Sequence, residues 1–165
     1  MDPYRTHIPV LETIFKTKNI NSVLEFGMGY NSTPFFLERS KNVTSIEMQQ
    51  KEWFDKITSE YSKTYKDWKH HLSIGPFTAF SLQEVMTQNY DLVFVDGHGD
   101  SRPECINAFF NKAEIIVAHD AEEPGYRWNL VNKPDNYNEY LFARLNPFTL
   151  IYSKDFDLIE TIRDI

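Results

Sequence analysis

Short β-rich runs alternate with helical segments along most of this 165-residue chain, and no other feature limits its fold as strongly. Such alternation builds parallel sheets through strand, helix, strand crossovers. Six runs have the aliphatic continuity of strands that are covered on both faces: Ser22 to Phe26, Val43 to Glu47, His71 to Ile74, Asp91 to Asp96, Glu114 to His119 and Phe148 to Ser153. The last run also fits one arm of an edge hairpin. The sequence predicts an α/β fold with a mostly parallel central sheet and helices on both faces.

Apolar residues at helical spacing predict the helices between these strands. Four stripes have this spacing, within residues 10–15, 53–61, 79–86 and 106–110. Thr33 before Pro34 predicts a helix start, and Ser101 to Glu104 predicts a capping box. The stretch from Ala121 to Asn138 contains Pro, Gly and several Asn with little periodicity, which predicts a long functional or surface loop. We predict a single domain over residues 1–165.

Composition excludes several classes of protein. With 41% hydrophobic and 15% aromatic residues, the chain can build a core, so disorder and fibrous repeats are excluded. Its longest apolar runs, such as Leu92 to Val95, are far shorter than the roughly 20 residues that cross a bilayer, so we expect no membrane partner. A net charge of −7 disfavours nucleic acid as a partner. The single Cys105 and the lack of an N-terminal signal predict a reducing, cytoplasmic setting.

The positions of the six glycines predict a ligand-binding edge. Glycine is needed where the backbone takes a positive φ or approaches a ligand closely, and open α/β sheets bind ligands at the carboxyl ends of their strands. Every glycine follows a predicted strand: Gly27 and Gly29 the first, Gly75 the third, Gly97 and Gly99 the fourth, and Gly125 the fifth. Loops in general need glycine, but the turns that lead into the strands have none.

The turn after the first strand carries an acidic-x-Gly-x-Gly pattern formed by Glu25, Gly27 and Gly29. A dinucleotide-binding turn would have a third glycine at the position of Ser32. The pattern instead resembles the first motif of the class I S-adenosylmethionine-dependent methyltransferases, and the resemblance covers roughly residues 20 to 155. It implies a Rossmann-like class I methyltransferase fold and S-adenosylmethionine as the methyl donor.

The resemblance also implies which residues contact the donor. Glu47 follows Gly27 by about 20 residues and stands where the family places the acid that binds both ribose hydroxyls. A carboxylate suits that role because it offers two acceptor oxygens and no donor. Met48 would flank the adenine, and Gly75 and Phe77 stand where the family usually has an acidic or amide residue that reads the adenine amino group.

Within the first turn, the implied role of Glu25 is to orient the amine of the methionine end. The neighbouring donor contacts are Tyr30, Asn31 and Ser32. Two alternatives remain open: Glu25 can act as a dipole partner of the helix that begins near Ser32, and Glu47 can be a solvated strand end.

Polar residues follow the fourth and fifth strands, where a buried run ends in each case. Asp96 and His98 follow the fourth strand, and His119 and Asp120 end the fifth. In the family's sheet order these strands are neighbours about 5 Å apart, so the resemblance implies that Asp96 and Asp120 converge. The pairing resembles a subset of O-methyltransferases in which carboxylates at these strand ends hold a divalent cation, and oxygen ligands suit Mg²⁺ or Mn²⁺.

In that interpretation, the cation orients an acceptor hydroxyl for attack on the sulfonium methyl while His98 or His119 takes the proton. The alternative is that Asp96 contacts the cofactor or caps a helix, and that both histidines satisfy local backbone groups.

Acceptor binding is predicted for Arg102 and for the loop after the fifth strand, which contains Tyr126, Arg127 and Trp128. Arg102 can instead pair with Asp100, and the aromatic residues can instead pack as core or lid.

We predict O-methylation of a sugar, glycan or other small hydroxylated acceptor. The alternative function is a non-catalytic S-adenosylmethionine-binding module. Because the chain has almost no lid, the cleft would suit a bulky acceptor or be covered by the partner chain of a homodimer.

Overall fold

A computed structural model of the protein describes residues 2–165. Its seven strands are β1 (Ser22–Phe26), β2 (Asn42–Glu47), β3 (Lys69–Leu72), β4 (Tyr90–Val95), β5 (Ala113–His119), β6 (Asn138–Phe142) and β7 (Thr149–Ser153). Its six α-helices are α1 (Ile8–Thr17), α2 (Ser32–Arg39), α3 (Lys51–Tyr61), α4 (Gln83–Met86), α5 (Arg102–Phe109) and α6 (Phe156–Arg163).

The strands form one sheet in the order β3-β2-β1-β4-β5-β7-β6. Strands β1 to β5 are parallel, whereas β7 is antiparallel to both β5 and β6. The carboxyl ends of the five parallel strands therefore meet at one edge, and the glycine-bearing turns follow these ends, as predicted. The predicted α/β architecture is confirmed.

Two apolar layers cover the sheet, because successive side chains of a strand point to opposite faces. Val23 and Phe94 belong to the layer that packs against α1, α2, α3 and α6. Leu24 and Val95 belong to the other layer, which packs against α4 and α5. Both faces of the central strands are buried, which leaves their carboxyl ends as the place where polar groups can gather.

Several elements differ from the sequence prediction. Strand β6 was not predicted, because its residues alternate between exposed and more buried positions at the sheet edge and include Asn138 and Glu139. Helix α6 was not predicted either. The predicted helix within residues 79–86 is reduced to α4, after a short 3-10 turn at Phe77–Ala79. The predicted loop after β5 is irregular as far as β6 and contains two 3-10 turns, Pro124–Tyr126 and Trp128–Leu130.

Both predicted helix starts fall close to observed ones, but their hydroxyl groups have other partners. Helix α2 begins at Ser32, and Thr33 donates a hydrogen bond to Glu25 rather than capping the helix. Ser101 is the N-cap residue of α5, yet its Oγ accepts a hydrogen bond from the backbone N–H of Phe77 at 2.8 Å. These side chains connect neighbouring loops at the ligand edge.

Cys105 is a free, buried residue of α5, packed in the layer beneath β4 and β5. Burial raises the pKa of its thiol. Across residues 2–165, no helix combines the length and the apolar character that crossing a bilayer requires.

Candidate active site

The first glycine turn can be built only with glycine at position 27. Gly27 has a φ of +88°, which L side chains rarely adopt, and a Cβ there would lie 2.4 Å from the carbonyl oxygen of Asp96. The turn is held on both sides, because the N–H of Gly27 donates to the carbonyl of Ile46 and the N–H of Asp96 donates to the carbonyl of Phe26. The ends of β1, β2 and β4 are thereby fixed against one another.

Glu25 lies fully buried beneath this turn. Its carboxyl oxygens accept hydrogen bonds from Ser32 Oγ at 2.6 Å, Thr33 Oγ1 at 2.9 Å and Ser45 Oγ at 2.6 Å. Burial raises the pKa of Glu25 to about 7, although the three hydroxyl donors oppose the rise. These hydrogen bonds fix the start of α2 from below. The role that the family resemblance implies for Glu25, orienting the donor amine, stays a prediction.

Glu47 ends β2 beside the glycine turn and is nearly buried. Its Oε1 accepts from the N–H groups of Gln49 at 2.8 Å and Gln50 at 3.1 Å, and its Oε2 lies 3.3 Å from the N–H of Met28. It is therefore not a solvated strand end. A carboxylate offers about four lone-pair sites, so Oε2 retains the capacity to accept a further hydrogen bond.

Two adjoining cavities open at this edge of the sheet. The first cavity has a volume of about 430 Å³, and the residues that line it alone are Gly27, Glu47, Gln49 and Gln50. The second has a volume of about 360 Å³, and the residues that line it alone are His7, Gly29, Tyr30, Asn31, Ser32 and His119. Tyr4, Met28, Trp53 and Asp96 line both. The volumes are within the range of about 300 to 1,000 Å³ that is typical of ligand sites.

Polar side chains from β4, β5 and α5 converge beside Asp96. His119 Nδ1 lies 3.5 Å from Asp96 Oδ1 and 3.3 Å from Asp120 Oδ1. Arg102 Nη2 lies 3.1 Å from Asp96 Oδ1 and 2.9 Å from Asp120 Oδ2. Burial alone would raise the pKa of Asp96, but the hydrogen bond with His119 and the charge of Arg102 outweigh it and hold that pKa below its ordinary value. The predicted convergence of Asp96 and Asp120 is confirmed.

The same cluster contains the residues that could bind a divalent cation. Asp96, His119 and Asp120 each offer one ligand atom, and these atoms all lie within 4.8 Å of one another. However, the guanidinium of Arg102 contacts both carboxylates and also donates from Nη1 to the carbonyl of His119. A guanidinium keeps its charge at all relevant pH values, so a metal ion at this point would have to displace it. The residues present therefore do not fit a bound Mg²⁺ or Mn²⁺.

The N-terminal segment contributes two residues to this cluster that the sequence analysis missed. Thr6 Oγ1 lies 2.8 Å from His119 Nε2. The ring of His7 packs between Phe94 and His119, with centroids 5.0 Å and 4.6 Å away, and neither ring nitrogen has a hydrogen-bond partner among the described residues. Burial, followed by the effect of His119, lowers the pKa of His7 to about 3, so its ring is neutral.

Trp53 is a further cavity residue that the sequence analysis missed, because its spacing fitted the apolar stripe of a helix. The side chain is half-buried, its Nε1 donates to the carbonyl of Met28 at 2.7 Å, and its ring packs edge-on against Tyr30 at 5.3 Å. Its position in the first turn of α3, directly after the turn that ends β2, was the available signal, since that turn lies at the ligand edge.

Among the residues predicted for donor binding or catalysis, six line neither cavity: Glu25, Asp120, Met48, Gly75, Phe77 and His98. Met48 is 1% exposed and packs in the layer under α5. Gly75 lies in the loop after β3, and Phe77 stacks on Phe80 with centroids 5.3 Å apart. His98 faces Ser101, at 3.5 Å between Nδ1 and Oγ.

The residues predicted to bind the acceptor form a structural unit outside the two cavities. Tyr126 stacks over the guanidinium of Arg102, with 4.4 Å between the ring centroid and Cζ. Arg127 donates to the backbone carbonyl of Asp100, and Trp128 Nε1 donates to the carbonyl of Glu123 at 3.0 Å. Arg102 is 3% exposed, so it does not face an acceptor, and it pairs with Asp96 and Asp120 rather than with the Asp100 side chain.

The fold is the one found in solved S-adenosylmethionine-dependent methyltransferases, so the fold that the sequence resemblance implied is confirmed. The sequence itself matches no protein-family model and no curated protein.

Solved structures of methyltransferases share the fold at low sequence identity. An O-methyltransferase from Bacillus cereus in complex with S-adenosylhomocysteine has a TM-score of 0.69 and 14% identity, over 93% of this chain and 82% of that chain. The O-methyltransferase TomG from Streptomyces achromogenes, in complex with S-adenosylmethionine, has a TM-score of 0.65 and 14% identity, over 93% and 80%. An rRNA methylase from Streptococcus thermophilus has a TM-score of 0.63 and 17% identity, over 93% and 96%.

Proposed function

We propose that this chain is an S-adenosylmethionine-dependent methyltransferase that methylates a hydroxyl group of a small acceptor, such as a sugar or glycan. The observation that carries the proposal is the position of Asp96. Asp96 lines both the cavity that contains Glu47 and the cavity that contains His7 and His119, and its side chain is 26% exposed. A donor and an acceptor that fill these two cavities meet at one carboxylate.

The donor cavity suits a cationic nucleoside. Glu47 Oε2 can accept a ribose hydroxyl, and charge-assisted hydrogen bonds of this kind contribute about 1.5 to 3 kcal/mol each. Asp96 supplies a negative charge on the wall shared with the acceptor cavity, where the positive sulfonium end of the donor is stabilised. The glycine turn allows the donor to approach the backbone between Gly27 and Gly29.

The acceptor cavity suits a compact ring that carries hydroxyl groups. Its walls include the aromatic side chains of Tyr4, Tyr30 and Trp53, and Asn31 and His119 add polar groups. Tyr30 and Asn31 were predicted as donor contacts, but they do not line the cavity beside Glu47, so we assign them to the acceptor. Aromatic rings stack on planar or sugar surfaces, and a few convergent polar groups orient the ligand. The acidic chain as a whole, with a net charge of −7, agrees with an acceptor that is not a polyanion.

The transfer requires little chemistry from the protein. Bound S-adenosylmethionine supplies an activated methyl group, so the chain contributes proximity and alignment. The acceptor oxygen forms a bond to the methyl carbon as the sulfur–carbon bond breaks, and the acceptor proton passes to the carboxylate of Asp96. The pKa of Asp96 lies below its ordinary value, which suits a proton that is lost late, once the attacking oxygen has become positive. His119 holds this carboxylate in position.

The test is the formation of S-adenosylhomocysteine by the purified protein with a panel of sugars and other hydroxylated acceptors. We expect acceptor-dependent turnover that falls by about 100-fold or more in Asp96→Asn, within the range for loss of a general base. The matched control is Asp100→Asn, an exposed neighbour in the same loop, which should keep wild-type turnover.

Equal turnover in Asp96→Asn and wild type would contradict the role of Asp96. Donor binding without turnover across the whole panel would favour a non-catalytic S-adenosylmethionine-binding module.

A further inference from the structure

The guanidinium of Arg102 lies where carboxylates from two neighbouring strands meet. One nitrogen, Nη2, is 3.1 Å from Asp96 Oδ1 and 2.9 Å from Asp120 Oδ2, and the other, Nη1, donates to the backbone carbonyl of His119. A single positive group thus contacts the ends of both β4 and β5. This is the geometry expected of a bridging cation, supplied here by a side chain.

The structure around Arg102 keeps the guanidinium in this position. The residue begins α5 and is 3% exposed, and Tyr126 covers its guanidinium at 4.4 Å. Gly99 is needed for this packing, because a Cβ at that position would lie 2.3 Å from Cε1 of Tyr126. The loop after β5 therefore folds back as a cover over Arg102, which explains one of the glycines of the predicted ligand edge.

Asp120 is adapted to the same contact. Its backbone φ is +53°, in the left-handed region that residues other than glycine, asparagine and aspartate rarely adopt. This backbone conformation directly follows β5 and belongs to the residue whose carboxylate meets Arg102. The carboxylate of Asp120 is held in this conformation by contacts with both Arg102 and His119.

We propose that Arg102 takes the place of a divalent cation between Asp96 and Asp120, so that this chain holds the two carboxylates without a metal ion. Arg102 is a positioning residue: it orients Asp96 at the wall of the two cavities and touches neither cavity itself. A corollary is that removal of the guanidinium leaves a three-ligand site of Asp96, His119 and Asp120, whose ligand atoms already lie within 4.8 Å of one another. Oxygen and imidazole ligands of this kind suit Mn²⁺.

The experiment is a titration with Mn²⁺ of the full-length, chelator-treated protein, followed by the electron paramagnetic resonance signal of free Mn²⁺. We expect no stoichiometric binding by the wild type. Arg102→Ala should bind one Mn²⁺ per chain at least 10-fold more tightly than the wild type, and Arg102→Ala combined with Asp120→Asn should lose that gain. Arg102→Lys, which keeps a positive charge, should resemble the wild type.

Arg127→Ala is the matched control, because Arg127 is an exposed arginine of the neighbouring loop that contacts neither carboxylate. It should bind Mn²⁺ no more tightly than the wild type. Arg102→Met keeps the apolar stem of the side chain and serves as a second variant if Arg102→Ala does not fold.

Stoichiometric Mn²⁺ binding by the wild type that Asp120→Asn abolishes would overturn the proposal. A folded Arg102→Ala or Arg102→Met protein with no gain in Mn²⁺ affinity would overturn it as well. If neither variant folds, the titration of the wild type with Mn²⁺ still tests whether this chain holds the two carboxylates without a metal ion. Because the measurement involves no methyl transfer, it can fail or succeed independently of the proposed enzymatic function.

Discussion

Glu25 carries a carboxyl group with no exposed surface, and three hydroxyl groups donate to it. The sequence pattern located this acid correctly within the first turn, but it could not show which way the side chain points. The same is true of Arg102, whose long side chain turns inward to Asp96 and Asp120 rather than outward to an acceptor. Side-chain direction depends on tertiary packing, and a single sequence does not encode it in any local pattern.

At this scale, the pKa of Glu25 predicts a specific dependence of stability on pH. The ordinary value of 4.5 applies to the unfolded chain, and burial raises the folded value to about 7. Below pH 4.5 both states are protonated and burial of Glu25 costs nothing through ionisation. As the pH rises from about 4.5 to 7, the unfolded state releases the proton first, so the folded state loses about 3 kcal/mol of stability.

Glu25→Gln removes this ionisation. The free energy of unfolding of the variant relative to the wild type should therefore rise by about 3 kcal/mol between pH 4.5 and pH 8, as measured by urea denaturation. His7 titrates with the opposite sign, since its lowered pKa costs stability on acidification, but it is present in both proteins and cancels in the difference. A difference in the free energy of unfolding that does not change with pH would contradict the raised pKa of the buried Glu25.

At the scale of elements, strands were easier to predict than the segments at the sheet edges. Strand β1 has the predicted bounds, because its apolar run is buried and ends at a glycine turn. Strand β3 was predicted about two residues late, at His71 to Ile74 rather than Lys69–Leu72, because its side chains are only partly buried. Strand β6, which lies on the opposite edge, was missed for a related reason. Edge strands need fewer apolar residues, so their sequence signal is weak.

The first glycine turn depends on its two glycines to different degrees. Gly27→Ala should destabilise the protein by at least about 2 kcal/mol in urea denaturation, because it combines an unfavourable φ with a backbone clash against Asp96. Gly29→Ala is the matched control two residues away. A Cβ at Gly29 would meet only Ser32 Oγ, at 3.4 Å, and we expect a change within about 0.5 kcal/mol. An equal loss of stability in the two variants would contradict the requirement for glycine at position 27, where the end of β1 approaches the backbone after β4.

At the scale of the whole molecule, the parallel sheet brings distant parts of the chain to one edge. Glu47 ends β2, Asp96 follows β4 and His119 ends β5, and the sequence order of these elements was enough to predict their common edge. The contribution of the N-terminal segment was not predictable in this way. Tyr4 and His7 precede the first strand, and only the folded structure shows that they reach the cavities beside Asp96.

Binding of S-adenosylmethionine at this edge can be measured by calorimetric titration with S-adenosylmethionine and S-adenosylhomocysteine. We predict micromolar binding of both ligands. Glu47→Gln should weaken it by about 10- to 100-fold through the loss of charge-assisted hydrogen bonds, and Glu60→Gln, an exposed glutamate on α3, should leave it unchanged. No binding of either ligand to the folded wild-type protein, or equal affinities of Glu47→Gln and the wild type, would contradict the account.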